Sequence, residues 1–271
     1  MKIEILISIF LVVTITASFP QTSTTQPQNS SPKNTWYFTF GWHRAYYTNS
    51  TIHFKDFKTA NYDFKLVKAE AIDDNDLHIG RGIDAPQYSV RLGLFFKNKP
   101  NTGIEINFDH AKYILKQGQR VHIEGSIDGI SLDKDTLVHP GFIEYEHTHG
   151  ANYWMINVVK RKSLWQSDNQ KYQLDILVKP GIGLVIPHSD IWLFGKPRND
   201  KYHVSGYVAG VESGLRAVLV KSLVAEFTFK GAYANYTDIL LYGSGRARQH
   251  WWSYQYIMLV GYQFNFTSKK K

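Results

Sequence analysis

The sequence predicts an all-β chain folded as a transmembrane, antiparallel up-and-down β-barrel of eight strands, with a filled polar lumen and long outward loops. Three observations lead there. Eight segments alternate apolar and polar residues at period two, most run well beyond the ~5–6 residues usual for a strand, and short and long connections alternate along the chain.

The chain has 271 residues. Residues 1–20 begin with a charge, continue through an apolar run from Ile5 to Ala17 and end in small residues, the layout of a secretory signal peptide cut near 17–20. That run, about thirteen residues, is shorter than the ~20 a spanning helix needs. Residues 21–34, rich in Ser, Thr, Gln and Pro and without periodicity, read as a disordered lead-in. The barrel is then expected over 35–267, with a basic periplasmic tail at 268–271.

The predicted strands are 35–47, 87–98, 102–114, 151–164, 171–186, 202–220, 223–235 and 251–267. In the second, Tyr88, Val90, Leu92, Leu94 and Phe96 alternate with Ser89, Arg91 and Gly93. In the fifth, Leu174, Ile176, Val178, Ile182 and Leu184 alternate with Gln173, Asp175, Lys179, Gly181 and Gly183. Strands of this length are what a tilted bilayer crossing requires. The short connections are 97–102, 166–170 and 220–222; the long ones are 48–86, 115–150, 187–201 and 236–250. Strict alternation of the two kinds, with an even strand number, places both chain ends on the short-turn, periplasmic side. The first long loop contains a strand-like pair, IHFKDF and YDFKLVKAEA, expected to stand above the membrane as a hairpin.

Composition narrows the partners. There is no cysteine, so burial and hydrogen bonding hold the fold. The net charge of +8 in an exported chain points to anionic lipid head groups or lipopolysaccharide, and away from nucleic acid.

The last predicted strand ends in LVGYQFNF, and Gly261 followed by Phe264 and Phe266 resembles the C-terminal assembly signal of bacterial outer-membrane proteins. The resemblance implies recognition by the barrel-assembly machinery and insertion as the closing strand in the bacterial outer membrane. The residues TSKKK after Phe266 depart from that pattern, in which the signal is terminal. The whole layout resembles the small eight-stranded barrels, a group that includes OmpX-like and OmpA-like transmembrane domains and lipid A-modifying barrels. The stretches FDHAKY, YEHTHGANYW and ARQHWW resemble a barrel family of Bacteroidota.

Strand parity turns Arg91, Glu105, Asp109, Arg161, Asp175, Lys179, Glu212, Arg216, Glu226 and Lys230 inward, five acids and five bases. An eight-stranded barrel is just wide enough for side chains to fill it, so these charges are expected to pair and to plug the lumen. A turn centred near Lys221 sets residues whose numbers sum to about 442 opposite each other, pairing Arg216 with Glu226 and Glu212 with Lys230.

Outward, Lys55, Lys58, Lys65 and Lys68 in the first loop and Arg246 and Arg248 in the last, where GSGRAR reads as a flexible basic loop, are the candidates for lipid head groups. The pair His147 and His149 in EHTH is a candidate for sharing a metal if it lies on one strand face, though no third ligand is fixed by spacing. The expectation is a non-enzymatic barrel without cofactor, whose loops bind lipopolysaccharide, another surface ligand or a partner protein, including within an outer-membrane complex. The alternative is a lipid A-modifying hydrolase or acyltransferase at the outer rim. Its candidate residues are Ser253, His250 and His110, the first turned inward by parity.

Overall fold

Alternation governs the fold. A computed structural model describes residues 34–73, 87–199 and 202–265; the expected signal peptide, most of the lead-in, the tail at 268–271 and Phe266 lie outside the described residues. The strands are β1 (Thr35–Tyr47), β2 (Ser50–Asp56), β3 (Tyr62–Ala69), β4 (Ala71–Ile72), β5 (Tyr88–Phe96), β6 (Lys99–His110), β7 (Tyr113–Leu115), β8 (Arg120–Ile127) and β9 (Ile130–Leu137). They continue as β10 (Ile143–His147), β11 (Tyr153–Gln166), β12 (Gln173–Val185), β13 (Asp190–Leu193), β14 (Lys196–Asn199), β15 (Gly206–Leu219), β16 (Leu223–Leu240) and β17 (Arg246–Asn265).

Eight of them form a ring in the order β1-β5-β6-β11-β12-β15-β16-β17, and β17 bonds back to β1 over the whole length of β1, from Thr35↔Asn265 to Tyr47↔Ser253. All eight pairings are antiparallel. The barrel is closed, so it leaves no edge among its own strands.

Its polarity is the reverse of a water-soluble barrel. Outside, apolar residues stand exposed, with Ile182 at 71%, Ile156 at 63% and Met258 at 59%. Exposed aromatic rings collect toward both ends, Tyr46, Trp154, Tyr207 and Trp252 near the long loops and Trp165, Tyr172 and Tyr262 near the tight turns. This is the apolar band with two aromatic girdles that suits a bilayer. Inside, the ionic side chains other than Arg161 are buried.

The lumen is stoppered at both ends. Toward the tight turns Tyr37, Phe95, Val159 and Leu177 form a small buried cluster. Toward the long loops a larger cluster begins with Trp251, Tyr153 and Tyr236 and continues into a cap built from the loop segments. The cap has two parts. In one, β2, β3, β8 and β9 extend the barrel sheet outward from the upper part of β17, through Arg246↔Lys55 and Arg248↔His53, and β9 is an edge that pairs with no further strand among the described residues. In the other, β14-β13-β10-β7-β4 make a separate five-stranded sheet.

Several boundaries differ from the sequence reading. The hairpin expected in the first loop is β2 and β3, but the second loop supplies three further strands, β8 to β10. The segment read as 102–114 is broken at Ala111 and Lys112, where β6 ends and β7 leaves for the cap. The largest difference is at the last loop: β16 runs on to Leu240 and β17 starts at Arg246, so Arg246 and Arg248 sit on a strand rather than in a flexible loop. Alternation does continue there, with Ala247, Gln249 and Trp251 buried and Arg246, Arg248 and His250 exposed, but a Gln in the buried row hides it from a hydropathy reading.

One close approach fixes the wall near the tight turns. The Tyr37 ring lies over Gly93 on the neighbouring strand, where a Cβ would fall inside the ring, and its hydroxyl donates to Glu105 at 2.8 Å. Gly93→Ala should therefore lower stability by about 1–3 kcal/mol in urea unfolding. Gly231→Ala, whose added Cβ meets nothing within 4 Å, should leave it nearly unchanged.

Candidate functional site

Two charged regions stand out, one inside the barrel and one on the cap. Inside, the side chains turned inward by strand parity meet across the lumen. Arg91 on β5 reaches Asp109 at 2.7 Å, Glu212 at 3.1 Å and Glu105 at 3.6 Å. Lys179 on β12 lies 3.0 Å from Glu105, 2.8 Å from Glu226 and 3.3 Å from Glu212. Arg216 pairs with Glu226, and Lys230 with Asp109 at 2.6 Å. Arg161 and Asp175, 3.5 Å apart, form a pair at the turn end. Apart from Arg161, these side chains are essentially inaccessible.

The register is the expected one: Arg216↔Glu226, Glu212↔Lys230, Leu215↔Phe227 and Ala217↔Ala225 all sum to 442. It is made by a tight turn with Val220 and Lys221 in the left-handed region, at φ 51° and 68°. The contacts are not, however, a two-strand ladder. Lys230 stands 3.6 Å from Glu212 but closer to Asp109 across the barrel, and Glu212 takes its hydrogen bonds from Arg91 and Thr228. A cross-lumen network satisfies each carboxylate from several strands, which register arithmetic between two neighbours does not capture. Tyr37 and Asn157, both bonded to Glu105, are further members that a charge count passes over.

On the cap, four of the six basic candidates converge. Lys55, Lys58, Arg246 and Arg248 line one cleft of about 560 Å³, with His53, Phe57, Asp56 and Ser244 completing it. Pairing of β17 with β2 brings them together. The cleft floor is knitted from two loops: Asp56 accepts from the Ser244 hydroxyl at 2.6 Å and from the backbone N–H groups of Lys58 and Thr59 at 2.9 and 3.1 Å, and the Ser244 N–H donates to Thr59 Oγ1 at 3.0 Å. Desolvation opposes the Asp56 charge, yet these hydrogen bonds outweigh it and hold the carboxyl below its ordinary pKa.

Two of the four cations are already engaged. Lys55 pairs with Asp63 at 2.8 Å, and Arg246 with Asp238 at 3.0 Å. Among the described residues Lys58 and Arg248 have no carboxylate partner. Lys65 and Lys68 are elsewhere. Lys65 pairs with Glu124 on β8 at 3.0 Å, and Lys68 lies at a kink of β3 with φ 52°.

The histidine pair does not meet. β10 ends at His147, whose buried ring stacks on Tyr236 and exchanges a hydrogen bond with Ser189 at 2.7 Å, while His149 lies beyond the strand, exposed, with its ring 4.7 Å from that of His188. Burial drives the His147 pKa down to about 3, so it stays neutral. Among the described residues no group of three or more His, Asp or Glu is placed to hold a metal. Ser253 is buried against Tyr153 and the Ala232 carbonyl, whereas His250 on the opposite face of β17 lies 5.9 Å from the Tyr233 ring; the two form no nucleophile–base pair. Within the expected assembly signal, Gly261 pairs with Thr39, and Phe264 stacks on Tyr262.

No family model matches the chain, and no curated protein matches it. Among solved structures it is similar to Ail, the attachment invasion locus protein of Yersinia pestis, in complex with the heparin analogue sucrose octasulfate, at 10% identity and TM-score 0.34 over 86% of this chain and 99% of that one. It is also similar to the outer membrane protein AlkL, at 10% identity and TM-score 0.39 over 93% and 100% of the two chains. A third is OprG from Pseudomonas aeruginosa, at 11% identity and TM-score 0.36 over 87% and 98%.

Arg216→Met should cost about 3–5 kcal/mol by stranding part of the Glu226 charge. Arg216→Met with Glu226→Gln should recover ~0.5–3 kcal/mol of that loss in a urea double-mutant cycle. Strict additivity would mean that the two are not partners.

Proposed function

We propose that the chain is a bacterial outer-membrane barrel whose lumen is a structural core and whose cap binds anionic ligands at the cell surface, lipopolysaccharide or another surface ligand first among them. The carrying observation is the cleft of Lys55, Lys58, Arg246 and Arg248, built on a hydrogen-bonded floor and holding two cations without carboxylate partners among the described residues. Preformed basic sites of this kind attract anions by field as well as by contact. The exposed apolar band supports insertion in a bilayer, and the tight turns and both ends of the ring, Thr35 and Asn265, on one side support a periplasmic location for that side.

Assembly by the outer-membrane insertion machinery follows from this reading, with β17 as the closing strand. A protein partner within an outer-membrane complex is a second use of the same surface. Lipid modification has less support, because Ser253 faces the lumen and His250 faces away from it.

Folded protein in planar bilayers should show no steady open-pore conductance, since the ion pairs occupy a lumen of only eight strands; persistent ohmic current of porin size would refute the plugged reading. Arg246→Gln with Arg248→Gln should weaken binding to lipopolysaccharide vesicles at low ionic strength and flatten its salt dependence. An unchanged salt series would remove the electrostatic role of this cleft.

A further inference from the structure

Beside the four cations the cleft holds an exposed aromatic ring, which an inorganic anion does not need. Phe57, at the tip of the β2–β3 hairpin, is 61% exposed and lines the cleft among charged groups. The Lys55 ammonium stands 4.9 Å from its ring centroid, and that contact helps to hold the ring in place. A volume of about 560 Å³ lies within the ~300–1,000 Å³ of small-molecule sites and is far more than one phosphate fills. The site therefore offers an aromatic face, two cations without a carboxylate partner among the described residues and room for a molecule larger than an inorganic ion.

We propose that the cleft takes an anionic carbohydrate: a sugar ring lies on Phe57, and its phosphate or sulfate groups reach Lys58 and Arg248. The inference rests on the anion-binding reading above and specifies the ligand class. An aromatic face carries negative charge density and attracts the polarised C–H groups of a sugar ring as it attracts an ammonium. Lys55 and Arg246 are partly neutralised by Asp63 and Asp238, which leaves Lys58 and Arg248 to meet anionic groups on the ligand. The floor of Asp56, Thr59 and Ser244 ties the hairpin tip to the last loop before any ligand arrives, so little ordering is left to oppose binding.

The test is titration calorimetry on the full-length barrel in detergent, with each variant first shown to be folded by its heat-dependent electrophoretic mobility. The probes are a diphosphorylated glucosamine disaccharide, the same disaccharide without phosphates, inorganic pyrophosphate and a hexa-aspartate peptide. The diphosphorylated disaccharide should bind at least about tenfold tighter than pyrophosphate or the peptide, and the neutral disaccharide should bind least. Phe57→Ala should weaken the diphosphorylated sugar by up to about tenfold and leave pyrophosphate unchanged, with Phe57→Trp restoring the preference. Arg248→Gln should weaken both anions. The carbohydrate assignment is overturned if Phe57→Ala leaves the sugar-to-pyrophosphate ratio intact, or if the acidic peptide binds as tightly as the sugar. If no anionic probe binds and Arg248→Gln changes nothing, the anion-binding reading itself falls, and the carbohydrate assignment with it.

Discussion

The structure depends on neutralising five acids and five bases inside a ring too narrow to hydrate them. Each charge costs several kcal/mol to remove from water, and the cost is offset only when partners arrive from other strands. Arg91 illustrates this: its contacts lie on β6 and β15, far apart in sequence and on separate segments of the wall. Lys179 draws on β6, β15 and β16. A partly assembled sheet would satisfy neither in full. The network thereby links distant parts of the wall, because these charges reach their full set of partners only once the whole ring is present.

The aromatic stoppers above and below this layer have the complementary role. Tyr37 and Phe95 lie under it, and Arg216 and Arg161 rest their guanidinium groups on these rings, 4.4 Å from Tyr37 and 4.0 Å from Phe95 respectively. Trp251 roofs it, stacked between Tyr113 and Tyr236. Exclusion of water from both ends keeps the local dielectric low and strengthens the ion pairs already formed. The same roof is continuous with the core of the cap, so the surface cleft is joined through β17 to the buried core.

Most of the barrel was legible in the sequence because its signal is simple. A strand with lipid on one side and packed side chains on the other must alternate, and Leu174 to Leu184 or Tyr88 to Phe96 do so plainly. The inward charges followed from parity, and the turn at Val220 and Lys221 from the short break between two alternating segments. The cap was mostly illegible. β9, ISLDKDTL, is exposed or half-exposed along its whole length, so neither of its faces is marked by burial. β7 and β13 are only three and four residues long, too short for a period to register. The cleft could be found in part, from the cluster of Lys and Arg, but Phe57 reads in sequence as one more strand residue, and only pairing of β2 with β17 shows where it stands.

The edge at β9, free among the described residues, has a consequence wherever copies are crowded. A second β9 pairing with it antiparallel, about a two-fold axis perpendicular to the sheet, would set residues of the same face opposite each other. The centred alignments then set Lys134 against Lys134 with Asp133 against Asp135, or Asp133 against Asp133 with Leu132 against Lys134. Like charges directly opposed across strands disfavour such zippering. The alternating Asp-Lys-Asp thus makes this edge a poor template for a second strand of its own kind, so that two caps can meet without zippering together.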